Sequence, residues 1–269
     1  MKKVKRKFVF AGVLFAVMIL FVEPITQIKA ENAYTLDVGV CGENAKWLVY
    51  SNGVMEIIGN GKVSDYAGTS HSATLPGWYN YRDKINRLII DERITSIGEQ
   101  AFGHATNGME IGLQKLEYVE IPDSVTKLGR YAFYKCQNLK SITIGSGLKE
   151  LGDYAFSYCP LENISVDSEN TTFVAVDNIL YSKDYTKLYK YPQTDKELCV
   201  IREGVEVLEK DSFGNLANMK EVKLPKSLTH IESEAFSDCT QLKRIYYSGT
   251  KPQWKKIYID ELDNDAIIN

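Results

Sequence analysis

The sequence predicts a β-rich repeat solenoid of short parallel strands, and three observations carry that prediction. A small residue followed by Phe recurs at Ala101-Phe102, Ala132-Phe133, Ala155-Phe156, Ser212-Phe213 and Ala235-Phe236. Phe133 to Phe156 and Phe213 to Phe236 each span 23 residues. A fixed period of this size marks units that bury their apolar faces only against their neighbours. Upstream of each Phe stand apolar pairs with one residue between them: Leu88/Ile90, Val119/Ile121, Ile142/Ile144, Cys199/Ile201 and Val222/Leu224. Such alternation places both apolar residues on one face of a short strand.

Two further columns complete the expected core. One reads Ile94, Val125, Leu148, Val205, Leu228, and the other Ile97, Leu128, Leu151, Leu208, Ile231. Gly98, Gly129 and Gly152 follow the second of these, where a turn of positive φ is expected. Pro122 and Pro225 follow strand positions, where Pro ends a strand and redirects the chain.

The segments Ile121–Cys136 (IPDSVTKLGRYAFYKC), Ile144–Cys159 (IGSGLKELGDYAFSYC) and Leu224–Cys239 (LPKSLTHIESEAFSDC) resemble the BspA-like branch of the leucine-rich repeats, found in exported bacterial surface proteins. The resemblance covers roughly residues 85–250 and implies a leucine-rich-repeat horseshoe or solenoid with an adhesion or recognition role. This sequence departs from the pattern in two ways. Glu209 and Glu232 replace the turn Gly, which predicts looser turns, and eight extra residues fall near His104–Lys115.

Phe156 and Phe213 are 57 residues apart, and the frame lapses between Val166 and Cys199. The stretch Asn178–Pro192 holds two apolar and aromatic runs around Ser182–Thr186. It reads as a β-hairpin with a five-residue loop, inside an insertion at about 167–197. Residues 31–84 read as an N-terminal β capping module. Trp47–Tyr50 and Val54–Gly59 form a hairpin there around Ser51-Asn52-Gly53. Segments 41–47 and 76–81 resemble the family's capping module, which makes Trp47 and Trp78 apolar plugs of the first repeat; sugar stacking is their alternative role. Residues 251–269 read as a C-terminal cap, Trp254–Ile257 resembling the family's closing segment.

Residues 1–30 read as a secretory signal peptide. Lys2, Lys3, Lys5, Arg6 and Lys7 precede the apolar run Phe8–Val22, and Ala30 offers a cleavage site. That run is shorter than the ~20 residues of a spanning helix. The expected product is secreted or loosely held at the cell surface, with membrane contact only before cleavage. Without residues 1–30 the chain keeps 26 basic and 34 acidic side chains, a net charge of −8. An acidic surface gives no support to nucleic-acid binding.

Nothing in the sequence points to an enzyme or a cofactor. The three histidines are scattered: His71 and His104 fall in expected loops, and His230 shares a solvated column with Lys127 and Lys149. No phosphate loop, zinc spacing or nucleophile elbow is present. The acidic run Asp260–Asp265 lacks the Gly and terminal Glu of a calcium loop. Cys136, Cys159 and Cys239 share one column that Ala105 and Leu216 fill elsewhere, which predicts buried free thiols.

Between the two inward residues of each strand, one side chain must point outward. These are Ile89, Glu120, Thr143, Ser165, Val200, Lys223 and Tyr246. The preceding outward column is Arg87, Tyr118, Ser141, Asn163, Leu198, Glu221 and Arg244. Together they predict one continuous sheet surface. Arg87, Tyr118, Glu120, Thr143, Lys223, Arg244 and Tyr246 are the candidate contacts for an extracellular protein or matrix ligand, Tyr and Arg being the commonest interface anchors. A carbohydrate ligand is the alternative, suggested by the 17 Tyr residues.

Overall fold

The computed structural model describes residues 33–66, 75–106 and 109–268. The expected signal peptide and His71 lie outside them. Each repeat contributes a strand to each of two parallel ladders. The front ladder comprises Arg87–Ile90, Tyr118–Ile121, Ser141–Ile144, Asn163–Val166, Leu198–Val200, Glu221–Leu224 and Arg244–Tyr247. The side ladder comprises Ile94–Ile97, Lys127–Leu128, Glu150–Leu151, Lys187–Lys190, Val207–Leu208, His230–Ile231 and Tyr258–Ile259. Equivalent residues face each other across strands, as in Glu120↔Thr143↔Ser165 and Val200↔Lys223↔Tyr246. The paired apolar columns are buried, apart from Leu151, which is half-buried.

The Phe residues form an aromatic column through the core. Ring centroids are 5.7 Å apart for Trp78–Phe102, 5.2 Å for Phe102–Phe133 and 5.8 Å for Phe133–Phe156. The backbone N–H of Phe102, Phe133 and Phe213 donates to the carbonyl before the next Phe, each at 2.8 Å. Left-handed residues flank the Phe, two per turn except at Phe102, which has one. Before it stand Gln100, Tyr131, Tyr154, Asp211 and Glu234, and after it Lys135, Tyr158, Asn215 and Asp238, all with φ between 53° and 67°.

The positive φ therefore falls on residues other than the turn glycines. Gly98, Gly129 and Gly152 serve close stacking instead: a Cβ on Gly129 would lie 2.5 Å from the backbone N of Glu99. The turns with Glu209 and Glu232 are no looser. Their N–H groups donate to Leu188 and Leu208 at 3.0 and 2.9 Å, against 2.9 Å for Gly129 to Ile97.

The apparent gap in the repeat frame is a filled repeat. Tyr191 takes the Phe place, stacked on Phe213 at 4.9 Å, and its N–H donates to Ser212 at 2.8 Å. The expected hairpin is present, Ile179–Ser182 pairing antiparallel with Lys187–Lys190, and a third strand, Phe173–Val176, pairs antiparallel with the first to extend it into a meander. Asp177 and Asn178, both at positive φ, make the turn that the sequence reading missed. The middle strand works as a wedge. Leu180 packs into the core of the first three repeats, whereas Ile179 and Tyr181 pack into the core of the later ones. Buried Asn170 pins the meander to the third repeat. Its Nδ2 donates to Gly145 O and Leu148 O, and its Oδ1 accepts from Thr172 and Phe173 N–H.

Before the repeats, Thr35–Val40, Asn44–Tyr50 and Val54–Lys62 form an antiparallel sheet. The third strand also pairs in parallel with Arg87–Ile90 and with Ile94, so it feeds both ladders. Trp47 and Trp78 are 4% and 1% exposed, which leaves neither ring a face for a sugar. The extra residues near His104 form a second hairpin, Gly103–Thr106 with Met109–Gly112. His104 is accordingly a buried strand residue, not a loop residue, and burial lowers its pKa.

All five cysteines are buried free thiols. Cys136, Cys159 and Cys239 each donate Sγ–H to the carbonyl of the preceding Phe in the stack, at 3.6, 3.0 and 3.1 Å. Burial pushes the Cys41 and Cys239 thiols up to about 12. At the far end, Asn264 turns inward from the acidic run. Its Nδ2 donates to Glu232 O and Asp260 O, and its Oδ1 accepts from Phe236 N–H. The Phe236 N–H thus donates to Asn264, where the N–H of Phe102, Phe133 and Phe213 donates to the next repeat. Among the described residues no cluster of His, Cys, Asp and Glu could hold a metal ion.

Candidate functional site

The front ladder presents the outward residues, but not as one surface. Hydrogen-bonded pairing joins Tyr118–Ile121, Ser141–Ile144 and Asn163–Val166 in one sheet, and Leu198–Val200, Glu221–Leu224 and Arg244–Tyr247 in another. The meander wedge separates them, so the predicted continuous sheet becomes two patches. Arg87 sits outside both, on a strand that pairs with Val54–Ile57.

The first patch carries hydroxyls and negative charge. Tyr118 is 46% exposed, and its phenol donates to Glu120 Oε2 at 3.3 Å. Thr143 and Ser165 hydroxyls bond at 2.9 Å across the next strands. Partial burial, then the charge of Glu120, raises the Tyr118 pKa, so the phenol keeps its proton at neutral pH. Along the strand ends, Glu92 is held above its ordinary range by desolvation and by Asp123, Glu120 and Asp91.

The second patch is apolar and basic. Leu198, Val200 and Tyr246 are 42%, 49% and 46% exposed. Arg244 pairs with Glu221 and Lys220 with Glu197. Lys223 stands exposed between Val200 and Tyr246. The structure thus brings Tyr118, Glu120 and Thr143 together, and separately Lys223, Arg244 and Tyr246.

A third group went unnoticed in the sequence. The left-handed turn positions of two repeats carry Tyr131, Tyr154 and Tyr158. Tyr131 and Tyr154 stack at 5.3 Å, with the Arg130 guanidinium 4.6 Å from the Tyr131 ring. Tyr154 OH donates to Glu234 Oε1 at 2.9 Å, and Tyr158 OH to Asp238 Oδ2 at 3.1 Å. Tyr158, Asp238, Thr240 and Asp263 border an open cleft of about 350 Å³. The signal was Tyr at fixed offsets from Phe133 and Phe156.

Comparison with known proteins agrees with the repeat geometry. The profile of the BspA type leucine rich repeat region matches residues 112–186 and 187–258 in six copies, spanning the meander as well as the regular units. A search of curated proteins finds no match. Among solved structures, a leucine-rich repeat protein from Eubacterium ventriosum is 21% identical; the similarity covers 82% of this chain and 73% of that one, with a TM-score of 0.49. The pneumococcal vaccine antigen PcpA is 20% identical over 78% of this chain and 70% of its own, also at 0.49. A leucine rich cell surface protein from Faecalibacterium prausnitzii is 18% identical over 86% and 98%, at 0.31. With the profile covering more than half of its length, the chain belongs to the BspA-type leucine-rich repeat family.

Proposed function

We propose that this chain is an exported, non-enzymatic recognition module that binds an extracellular protein or matrix ligand on its outward front-ladder residues. The observation that carries this reading is the pair of half-exposed tyrosines, Tyr118 and Tyr246, one on each patch of the front ladder. Extended repeat sheets offer contact surface of this kind, and rigid Tyr rings anchor interfaces at low entropic cost. Residues 31–84 and 251–269 act as caps that keep the ends of the stack from water. The glycan alternative is weakened by the burial of Trp47 and Trp78.

Tyr118→Ala combined with Tyr246→Ala should weaken retention of ligand from a host-matrix or cell-surface extract and leave the melting temperature nearly unchanged. Undiminished retention in the double variant would move the site to the meander. Export is read from residues 1–30, so the mature chain should begin at Glu31. Intact mass of the exported protein checks this, and a chain still carrying Lys2–Ala30 would mean a membrane anchor.

A further inference from the structure

Charge separates the two patches. On the second, the acids Glu197 and Glu221 are both consumed by ion pairs with Lys220 and Arg244. Lys196, Lys223 and Lys243 remain exposed and form no ion pair with the described residues. The patch is therefore a basic island on a chain that carries a net −8 beyond residue 30. The first patch is rimmed by the carboxylates of Glu92, Glu120 and Asp123, Asp91 being paired with Arg93. A negatively charged ligand is drawn to one patch and repelled from the other.

Two features narrow the ligand. Leu198 and Val200 are large exposed apolar side chains beside these lysines, and a bare polyanion gains nothing from them. The strand that holds them, Leu198–Val200, is the end strand of its sheet, bounded by the break that the meander wedge creates. Its outer edge is partly taken up, the buried Tyr191 phenol accepting from the Val200 N–H, so a ligand meets the patch on its outward side-chain face.

Resting on the recognition reading above, we propose that the second patch docks an extended, acidic segment of a partner protein. The segment lies across the outward face, sets apolar side chains against Leu198, Val200 and Tyr246, and sets carboxylates against Lys196, Lys223 and Lys243.

The test uses the full chain and three fluorescent probes: a peptide of about a dozen alternating Glu and Val residues, its Lys/Val counterpart, and a heparin oligosaccharide. The Glu/Val peptide should bind and the Lys/Val peptide should not. Lys223→Glu with Lys243→Glu should weaken Glu/Val binding at least about tenfold, and Lys223→Gln with Lys243→Gln by less. The same charge change placed off the patch, Lys46→Glu with Lys149→Glu, should leave binding intact. Val200→Ser should weaken the peptide and not heparin. Heparin binding as tight as the peptide, together with indifference to Val200→Ser, would overturn the peptide in favour of a polyanionic glycan. No binding of the Glu/Val peptide, or binding that ignores the charge reversal, would also overturn it. The recognition reading is judged separately by the tyrosine double variant: retention lost there, with no acidic peptide bound here, removes only the partner chemistry.

Discussion

Phe133→Ala is expected to destabilise the folded chain by about 3–5 kcal/mol, the range for truncating a fully buried aromatic side chain. Phe133 has no exposed surface and is flanked by rings on both sides, Phe102 at 5.2 Å and Phe156 at 5.8 Å. Its removal opens a cavity midway along the stack, where neither neighbouring repeat can close in. Each repeat is tied to the next by the Phe N–H bonds at 2.8 Å and by the cysteine thiols. Phe156→Ala belongs in the same range but lower, because Phe156 is 5% exposed and stacks on Phe133 alone. The missing ring contact accounts for a difference of ~0.5–1.5 kcal/mol. Urea unfolding of the two variants measures both numbers. A loss below about 1 kcal/mol for Phe133→Ala would mean that the aromatic column is not what holds the repeats together.

What could be read from the sequence was whatever repeats. Val119/Ile121, Ile142/Ile144 and Val222/Leu224 are inward strand residues because period-2 alternation recurs in register, and tertiary context had no room to override it. The buried thiols were legible for the same reason, as Cys136, Cys159 and Cys239 share one column. The pattern failed where one unit departs from its neighbours. Tyr191 stands in the aromatic column but lacks both the small residue before it and the Cys after it, so the frame showed this repeat's front strand, with Asn163 and Ser165, but not its aromatic position. The Asp177-Asn178 turn was hidden because both residues adopt left-handed conformations without Gly. The glycine column was assigned the wrong cause. Sequence cannot separate a Gly kept for positive φ from one kept because the next backbone leaves no room for a Cβ.

The candidate face was legible one strand at a time and not as a surface. Each outward residue follows from alternation within its own strand, and the structure places Tyr118, Lys223 and Tyr246 outward. Continuity depends instead on pairing between strands, which the meander breaks between Asn163–Val166 and Leu198–Val200. A wedge that buries Leu180 on one side and Ile179 and Tyr181 on the other leaves no periodic trace. Its strand reads as a short apolar run, which periodicity alone cannot assign to one core or two. The same wedge turns the one predicted face into two patches.

Lys190→Met should prove about as damaging as the loss of a core ring, destabilising the chain by about 3–5 kcal/mol. In the regular repeats the residue before the stacked ring is Ala or Ser; in the repeat of Tyr191 it is Lys190. That column points inward, so the ammonium is carried into the core, and the side chain is 7% exposed. Its charge is met by Asp211 at the left-handed position of the next repeat. Nζ donates to Asp211 Oδ2 at 2.6 Å and to Asp211 O at 3.0 Å, and the Asp211 side chain is 6% exposed. The pair fastens the irregular repeat to the regular one beyond it, where the Tyr191–Phe213 stack and the Tyr191 N–H bond also cross. Removing Lys190 alone strands a carboxylate away from water, and that penalty exceeds what the intact pair contributes. Adding Asp211→Asn to Lys190→Met removes the stranded charge and keeps a residue that tolerates positive φ. The double variant should therefore be more stable than Lys190→Met alone, and a double-mutant cycle in urea gives the coupling directly. A coupling below about 0.5 kcal/mol would mean that water reaches the pair and that Lys190 is held by its apolar stem rather than by its charge.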